Sequence, residues 1–389
     1  MITRKAHSTI LDLAKGYPFI ALTGPRQSGK TTLSRMVFPE KPYVSLEDPD
    51  TREFAATDPR RFLARYPDGA IFDEAQRCPA LFSYLQTRSD VDGRMGMYIL
   101  TGSQQFGLLS GISQSLAGRV AMVQLLPFSS VELQAADALP ENLDEFLLKG
   151  AYPPLYDRPL SPTQWYAGYV TTYIERDVRQ LINIRDLLVF QRFVRLCAGR
   201  TGQLLNLSSL ANDCGITHNT AKAWISILEA SYILFLLSPH HRNFNKRLVK
   251  TPKLYFYDTG LAAWLLGIQN ADQLALHPQR GALFETWVVG ELLKERYNAA
   301  FPSSLFFWRD NTGNEVDIIA DLGEKLVPIE IKSGQTISAD FFTGLRKWLT
   351  WAGAEAGNAY LVYGGDETQE RKECRIVPWR QVADLVQIV

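Results

Sequence analysis

The stretch that most narrows the folds open to this 389-residue chain is the apolar run Phe19–Thr23 leading into Gly24-Pro25-Arg26-Gln27-Ser28-Gly29-Lys30-Thr31. It fits GxxxxGK(S/T), with a strand-like run before it and a helical stretch after it, the context in which that pattern carries chemistry. The glycines let backbone N–H groups turn inward around phosphate oxygens. The N-terminus of the following helix adds partial positive charge. Lys30 is expected to reach the β and γ phosphates, and the Thr31 hydroxyl to ligate Mg²⁺. The loop from Gly24 to Thr31, with Thr32 next in the helix, is therefore a candidate site for ATP. The surrounding runs agree: ALTG (21–24), YVSL (43–46), AIFDE (70–74), MYILTGS (97–103) and VAMVQLLP (120–127) are strand-like, with helix-length segments between them. That alternation predicts a parallel α/β sheet.

Three further stretches fit a nucleotide site. In Ala70–Glu74 the apolar residues put Asp73 at the C-terminal end of a buried strand, where ligands bind in open α/β sheets. Asp73 is expected to hold Mg²⁺, directly or through water, and Glu74 to polarise the attacking water. The alternative is a pair of exposed acids ending a strand. The next strand ends in Leu100-Thr101-Gly102-Ser103, between the phosphate loop and the metal strand. Ser103 is the candidate for positioning the water or the γ-phosphate, with Thr101 as the alternative. Arg119, after Leu116-Ala117-Gly118, is a candidate arginine finger reaching a neighbouring subunit, worth roughly 10³–10⁵ in rate. A surface salt bridge is the other reading.

The order of phosphate loop, DE strand, TGS strand, Gly-Arg and a final strand into Pro127-Phe128-Ser129 resembles the AAA+ ATPases, in particular those carrying a C-terminal DUF4143 domain. Lys149–Pro153, Tyr173–Val178, Asp258–Leu261 and the block near Glu285 extend the resemblance over nearly the whole chain. The resemblance implies self-association into a ring, commonly a hexamer, with ATP sites at subunit interfaces. It also implies a second arginine on a helical lid, for which Arg158 and Arg176 both qualify.

By pattern the chain separates into a nucleotide-binding core (1–135), a helical lid and winged-helix part (136–265) and a nuclease-like α/β part (266–389). Leu207–Leu228 reads as a helix-turn-helix. Leu210 and Ala211 face inward, Gly215 permits the turn, Ile216 plugs it and Thr217 caps the second helix. Ala221, Trp224, Ile225 and Leu228 share the buried face, leaving His218, Asn219, Lys222 and Ser226 on the other, types that meet base edges or phosphates. Two strand-like runs follow, 232–237 and 253–258, and no acid occurs from Ala230 through Tyr257. Arg242, Lys246, Arg247, Lys250 and Lys253 make this hairpin basic, as in a winged helix whose cations neutralise DNA phosphates. The competing reading is a solvated loop on a domain that packs subunits together.

The C-terminal third holds an acidic constellation. A helix near Leu283–Arg296 places Phe284, Trp287, Val288 and Leu292 on one face, with Glu285 and Glu291 beside it. In the following hairpin a II′ turn at Gly323-Glu324 sets Leu322 opposite Lys325, and counting outward Asp317 opposite Glu330. Lys332 shares the face of Glu330. Asp317 and Glu330 could then hold a second Mg²⁺, with Lys332 stabilising a hydroxide or developing phosphorane charge. This resembles the D…ExK signature of the PD-(D/E)xK nuclease fold, with Glu285 in its helix position. Many relatives of that fold use it to bind DNA without cutting.

Composition sets outer limits. Lys plus Arg and Asp plus Glu are each 41, so the chain does not wrap nucleic acid through overall basicity. Hydrophobic residues at 46% exclude disorder as the main state. The longest clean apolar run, Tyr232–Leu237, is too short for a membrane span, and the opening MITRKAHSTI lacks the features of a signal peptide. Cys78, Cys197, Cys214 and Cys374 form no CxxC pair, which predicts buried free thiols and a cytoplasmic protein. Three functions fit: an ATP-driven machine acting on DNA, branch migration being one version; an ATP-gated, Mg²⁺-dependent nuclease; and a signalling or defence ATPase whose C-terminal domain binds protein.

Overall fold

The computed structural model describes residues 2–103, 112, 115–178, 186–241, 248–353 and 357–386, with the side chains of 175–178 and 386 excepted. It divides into two compact units, Met1–Phe128 with Tyr297–Pro302, and Ser129–Arg296 with Ser303–Val389.

The first unit is built on five strands: β1 (Phe19–Thr23), β2 (Tyr43–Ser45), β3 (Ala70–Asp73), β4 (Tyr98–Gly102) and β5 (Val120–Gln124). They form one sheet in the order β2-β3-β4-β1-β5, every pair parallel. Because side chains alternate across a strand, each strand feeds two cores. Phe19, Phe72, Tyr98 and Leu100 pack on one face with Phe62, Leu81 and Phe82. Ile20, Leu22, Ile71 and Ile99 pack on the other with Ile10, Leu33 and Val37. The helices begin where capping chemistry predicts. Asp48 and Asp58 accept the backbone N–H of Thr51 and Arg61, each followed by a proline in the first turn. The crossovers bring the C-terminal ends of β1, β3 and β4 together, with β4 in the middle.

In the second unit the helices Leu187–Ala198, Leu207–Cys214 and His218–Ala230 stand beside a small antiparallel sheet of β6 (Gln203–Leu204), β7 (Leu234–Leu237) and β8 (Lys253–Phe256), ordered β6-β8-β7. Gly215 ends the middle helix at φ 67, and Thr217 caps the next by accepting Thr220 N–H at 3.1 Å. Leu210, Ala211, Ala221, Trp224, Ile225 and Leu228 are buried, while Ile216 is only half-buried.

The chain then runs through the helix Arg280–Asn298 into β9 (Leu305–Arg309), β10 (Glu315–Asp321), β11 (Leu326–Lys332), the helix Thr343–Ala352, β12 (Tyr360–Tyr363), β13 (Gln369–Glu370) and β14 (Arg375–Pro378). The sheet order is β13-β14-β12-β11-β10-β9. After the helix Thr343–Ala352, β14 pairs parallel with β12 and β13 antiparallel with β14, extending the sheet. At the other edge, segments flanking 242–247 lie along β9. His240 N–H donates to Phe307 O at 2.7 Å, Phe307 N–H to Ser238 O at 3.1 Å and Val249 N–H to Arg309 O at 3.0 Å.

A buried carboxylate ties two of the sequence motifs together. Asp258 accepts the N–H of Ala151 and of Leu261, both at 2.8 Å, and the Tyr166 hydroxyl at 2.6 Å. Gly150 adjoins it at φ 68, and a Cβ there would sit 2.2 Å from the Tyr166 hydroxyl oxygen. No described helix is long and apolar enough to cross a membrane.

Candidate functional site

The loop after β1 is shaped by close backbone approach. Gly24 has φ 148, and a Cβ there would lie 2.1 Å from Leu125 O on the segment after β5. Gly29 (φ 94) and Gln27 (φ 62) take the left-handed turn that delivers the chain to the helix Lys30–Val37. Lys30 is buried beneath the loop, its Nζ donating to Gly24 O at 2.9 Å and Pro25 O at 2.7 Å. Burial pulls its pKa down to about 8, against the opposing pull of Glu74 and Asp73.

The carboxylates at the end of β3 are held from neighbouring strands. Thr31 Oγ1 lies 3.2 Å from both Asp73 oxygens. The Tyr43 hydroxyl of β2 donates to Asp73 Oδ2 at 2.6 Å, and the Thr101 hydroxyl of β4 bonds Oδ1. Burial, then the bond to Asp73, raises the Tyr43 pKa, so the phenol stays a donor. Ser103 Oγ donates to Glu74 Oε2 at 3.1 Å, and Gln76 Nε2 donates to the same oxygen. Glu74 sits at φ 54, ψ 45, a left-handed conformation costly for a residue with a Cβ. The open choice between Thr101 and Ser103 thus divides by partner: Thr101 on the aspartate, Ser103 on the glutamate.

The donor set suits a magnesium–triphosphate ligand. A hydroxyl and a carboxylate meet at Thr31 and Asp73, oxygen ligands of the kind Mg²⁺ takes. The buried Ser28 Oγ within the loop has no hydrogen-bond partner. Pro25 is buried, Arg26 and Gly29 half-buried, and Gln27 and Thr32 exposed.

In the second unit the hairpin register brings Asp317, Glu330 and Lys332 to one face, and the helix Arg280–Asn298 adds Glu285. Ile318 faces Ile329 and Asp321 faces Leu326, so one step outward Asp317 faces Glu330. Gly323 turns at φ 84, and Leu322 N–H donates to Lys325 O at 3.1 Å. The register of β10 against β9 shifts between Val316 and Ile319, the stretch that contains Asp317. Asp317 Oδ2 accepts Ile331 N–H at 2.8 Å, and Lys332 Nζ donates to Glu330 Oε1 at 2.6 Å. Burial, with the Asp317 charge, pushes the Glu330 carboxyl up to about 8, against the pull of Lys332.

A lysine at the end of the basic stretch after β7 enters this cluster. Lys253, counted with the basic hairpin, is 2% exposed, so it neutralises no phosphate. Its Nζ lies 2.9 Å from Glu285 Oε1, in close contact with Glu315, and 3.9 Å from Asp317 Oδ1. Burial alone would lower its pKa, but Glu285, Tyr255, Asp317 and Glu315 together hold it well above the usual lysine value. Glu291, placed beside Glu285 by the sequence, is separate: it accepts Ser130 N–H at 2.6 Å and pairs with Lys294 at 2.7 Å.

Three family models match successive parts of the chain. Residues 16–134 match an AAA domain, 140–272 a domain of unknown function (DUF8612) and 280–382 a domain of unknown function (DUF4143). An uncharacterized protein of Mycobacterium bovis and one of Mycobacterium tuberculosis are each 34% identical over 328 residues, covering 82% of this chain and 71% of theirs. The chain belongs to the family of AAA-domain ATPases that carry a C-terminal DUF4143 domain. Among solved structures, the Walker-type ATPase PABY2304 of Pyrococcus abyssi is 16% identical, covering 67% of this chain and 94% of its own, at a TM-score of 0.42. AMPPCP-bound DnaA of Aquifex aeolicus is also 16% identical, covering 58% and 85%, at 0.32.

The remaining expected residues of this AAA-domain ATPase fall as follows. Arg119 makes a two-pronged pair with Asp90, Nε to Oδ1 at 2.6 Å and Nη2 to Oδ2 at 3.1 Å, the salt bridge weighed beside the finger. Arg158 is exposed after the short helix Pro154–Asp157, and the Arg176 side chain lies outside the described residues. His218, Asn219, Lys222 and Lys250 are exposed, and Ser226 half-buried. Arg242, Lys246 and Arg247 lie outside the described residues. Sequence reasoning missed Tyr43, Gln76 and Arg4. Arg4 is buried and donates to Ser28 O at 2.7 Å and Leu126 O at 2.6 Å, bracing the phosphate loop. Its signal was faint: one arginine ahead of the first helix.

Proposed function

We propose that this ATPase forms a ring, a hexamer in the simplest case, and spends ATP to bind, remodel or move along DNA, branched DNA included. Lys30 and the loop from Gly24 to Ser28 would grip the triphosphate, with Thr31 and Asp73 holding Mg²⁺, which supplies charge neutralisation at the phosphoryl group. Glu74 would take the proton of the attacking water. Ser103 and Gln76 orient its carboxylate, while Tyr43 and Thr101 orient Asp73. Arg119 would leave Asp90 to reach a neighbour's γ-phosphate.

The observation that carries the DNA reading is the exposed face His218, Asn219 and Lys222 on a capped helix of a helix-turn-helix, with exposed Lys250 following in the next hairpin. The helix order and the β6-β8-β7 sheet support a winged helix. The run of helix, β9-β10-β11, helix and β12 supports a PD-(D/E)xK scaffold, read here as a DNA-binding platform. Buried, unpaired Cys78, Cys197, Cys214 and Cys374 suit the reducing cytoplasm.

The test is ATP turnover with Mg²⁺ in the presence of duplex, single-stranded, forked and four-way DNA, with the DNA inspected for cuts. Stimulation by one of these structures, lost on Lys222→Glu/Lys250→Glu, is expected. Turnover that no DNA alters would move the chain to the signalling reading with a protein client. Cut products that vanish in Asp317→Ala would make it a nuclease.

A further inference from the structure

We propose that the Lys253 ammonium stands in the cation position among Glu285, Glu315 and Asp317, beside Glu330, so that this nuclease-like site takes no divalent metal and serves as an electrostatic clasp between the β6-β8-β7 sheet and the C-terminal sheet. The inference is independent of what the ATPase acts on.

The geometry is that of a filled site. Lys253 opens β8 after Pro252, and its neighbours on that strand, Leu254, Tyr255 and Phe256, are fully buried. The strand is anchored by the pairing of Lys253 with Leu237 on one side and Leu204 on the other. From that fixed backbone the ammonium reaches Glu285, Glu315 and Asp317. A magnesium ion bridging the same carboxylates needs their oxygens at roughly 2.0–2.1 Å, with its remaining ligands mostly water. Here it would stand against a buried ammonium, and two cations at such separation repel strongly where water is scarce.

Each carboxylate also already has an oxygen engaged by a protein donor. Glu285 Oε1 is shared by Lys253 and the Tyr255 hydroxyl. Glu315 Oε2 accepts Arg309 Nη1 at 2.9 Å, and Asp317 Oδ2 the Ile331 N–H. Glu330 Oε1 holds Lys332, and Glu330 Oε2 is buried without a partner. Lys253, Lys332 and Arg309 therefore face Glu285, Glu315, Asp317 and Glu330, a set within one charge of balance whether or not Glu330 holds its proton. An added divalent cation would overshoot that balance. Among the described residues no His, Cys, Asp and Glu side chains are grouped in threes so as to hold a metal ion.

The experiment is titration of Mn²⁺ alone into the nucleotide-free full-length chain, with free ion followed by electron paramagnetic resonance. Wild type and Asp317→Asn, which keeps an acceptor for Ile331 N–H, should bind identically, any uptake at Asp73 being common to both. Lys253→Met should take up an additional equivalent of Mn²⁺ that Lys253→Met/Asp317→Asn loses. A wild-type ion lost in Asp317→Asn overturns the proposal. So does a folded Lys253→Met chain, judged by circular dichroism, that gains no ion. If Lys253→Met does not fold, the comparison of wild type with Asp317→Asn decides alone.

Discussion

Raising the pH from 7 to 9 is expected to weaken ATP binding by about tenfold, through Lys30. Its Nζ is buried against the carbonyls of Gly24 and Pro25, and burial brings its pKa down to about 8. A lowered lysine pKa means the charge is present below that value and lost as pH rises through it. About nine-tenths of the chains carry the ammonium at pH 7 and about one-tenth at pH 9, and only those present the cation the phosphates need. The apparent dissociation constant scales inversely with the competent fraction, giving about tenfold, or about 1.4 kcal/mol. Binding should also draw a proton from solution near pH 8, because the incoming phosphates raise the same pKa again. The assay is equilibrium binding of a fluorescent ATP analogue at fixed free Mg²⁺, with proton uptake followed by calorimetry in two buffers of different ionisation enthalpy. Lys30→Arg supplies the control, since a guanidinium stays charged across the range. Wild-type affinity constant to within about twofold from pH 7 to 9, or the same slope in Lys30→Arg, would refute the reasoning.

Other positions give further expectations. Glu74→Gln should bind ATP with near-normal affinity and turn it over at least about a hundredfold more slowly, read by phosphate release. Tyr43→Phe removes the donor to Asp73 Oδ2 and should raise the Mg²⁺ concentration for half-maximal turnover by about threefold, with little change at saturating Mg²⁺. Arg4→Ala strips two buried carbonyls, Ser28 O and Leu126 O, of a charged donor and should cost about 3 kcal/mol in denaturant unfolding of the nucleotide-binding unit. If Arg119 acts across subunits, mixing Arg119→Ala with Lys30→Ala chains should restore turnover that neither has alone, and no recovery at any ratio would return Arg119 to its pair with Asp90.

The parts of this molecule that were legible in the sequence are those governed by local rules. The phosphate loop, the alternating strands and the helix-turn-helix each rest on spacing within some twenty residues, and turn chemistry at Gly323 carried the register outward to Asp317 and Glu330. What stayed hidden depends on packing between segments far apart in the chain. Tyr43 reaches Asp73 only because β2 pairs with β3 so that Ser45 stands beside Asp73. Lys253 read as one more cation in an acid-free stretch because no local pattern shows that Glu285, Glu315 and Asp317 lie across from it. Its isolation ahead of an apolar strand was the available sign, since a lone charge opening a buried strand needs partners. The strands β13 and β14 are short, and β13 carries no buried apolar residue to announce it.

The segments lying along β9 have a consequence for how copies of this protein can meet. A sheet margin with bare amides and carbonyls is a template on which a foreign strand can add, the usual route to unwanted polymerisation. Here Ser238, His240 and Val249 occupy that margin at Phe307 and Arg309, as a hem closes a cloth. A foreign strand could pair with Phe307 or Arg309 on this side of the DUF4143 region only by displacing those segments.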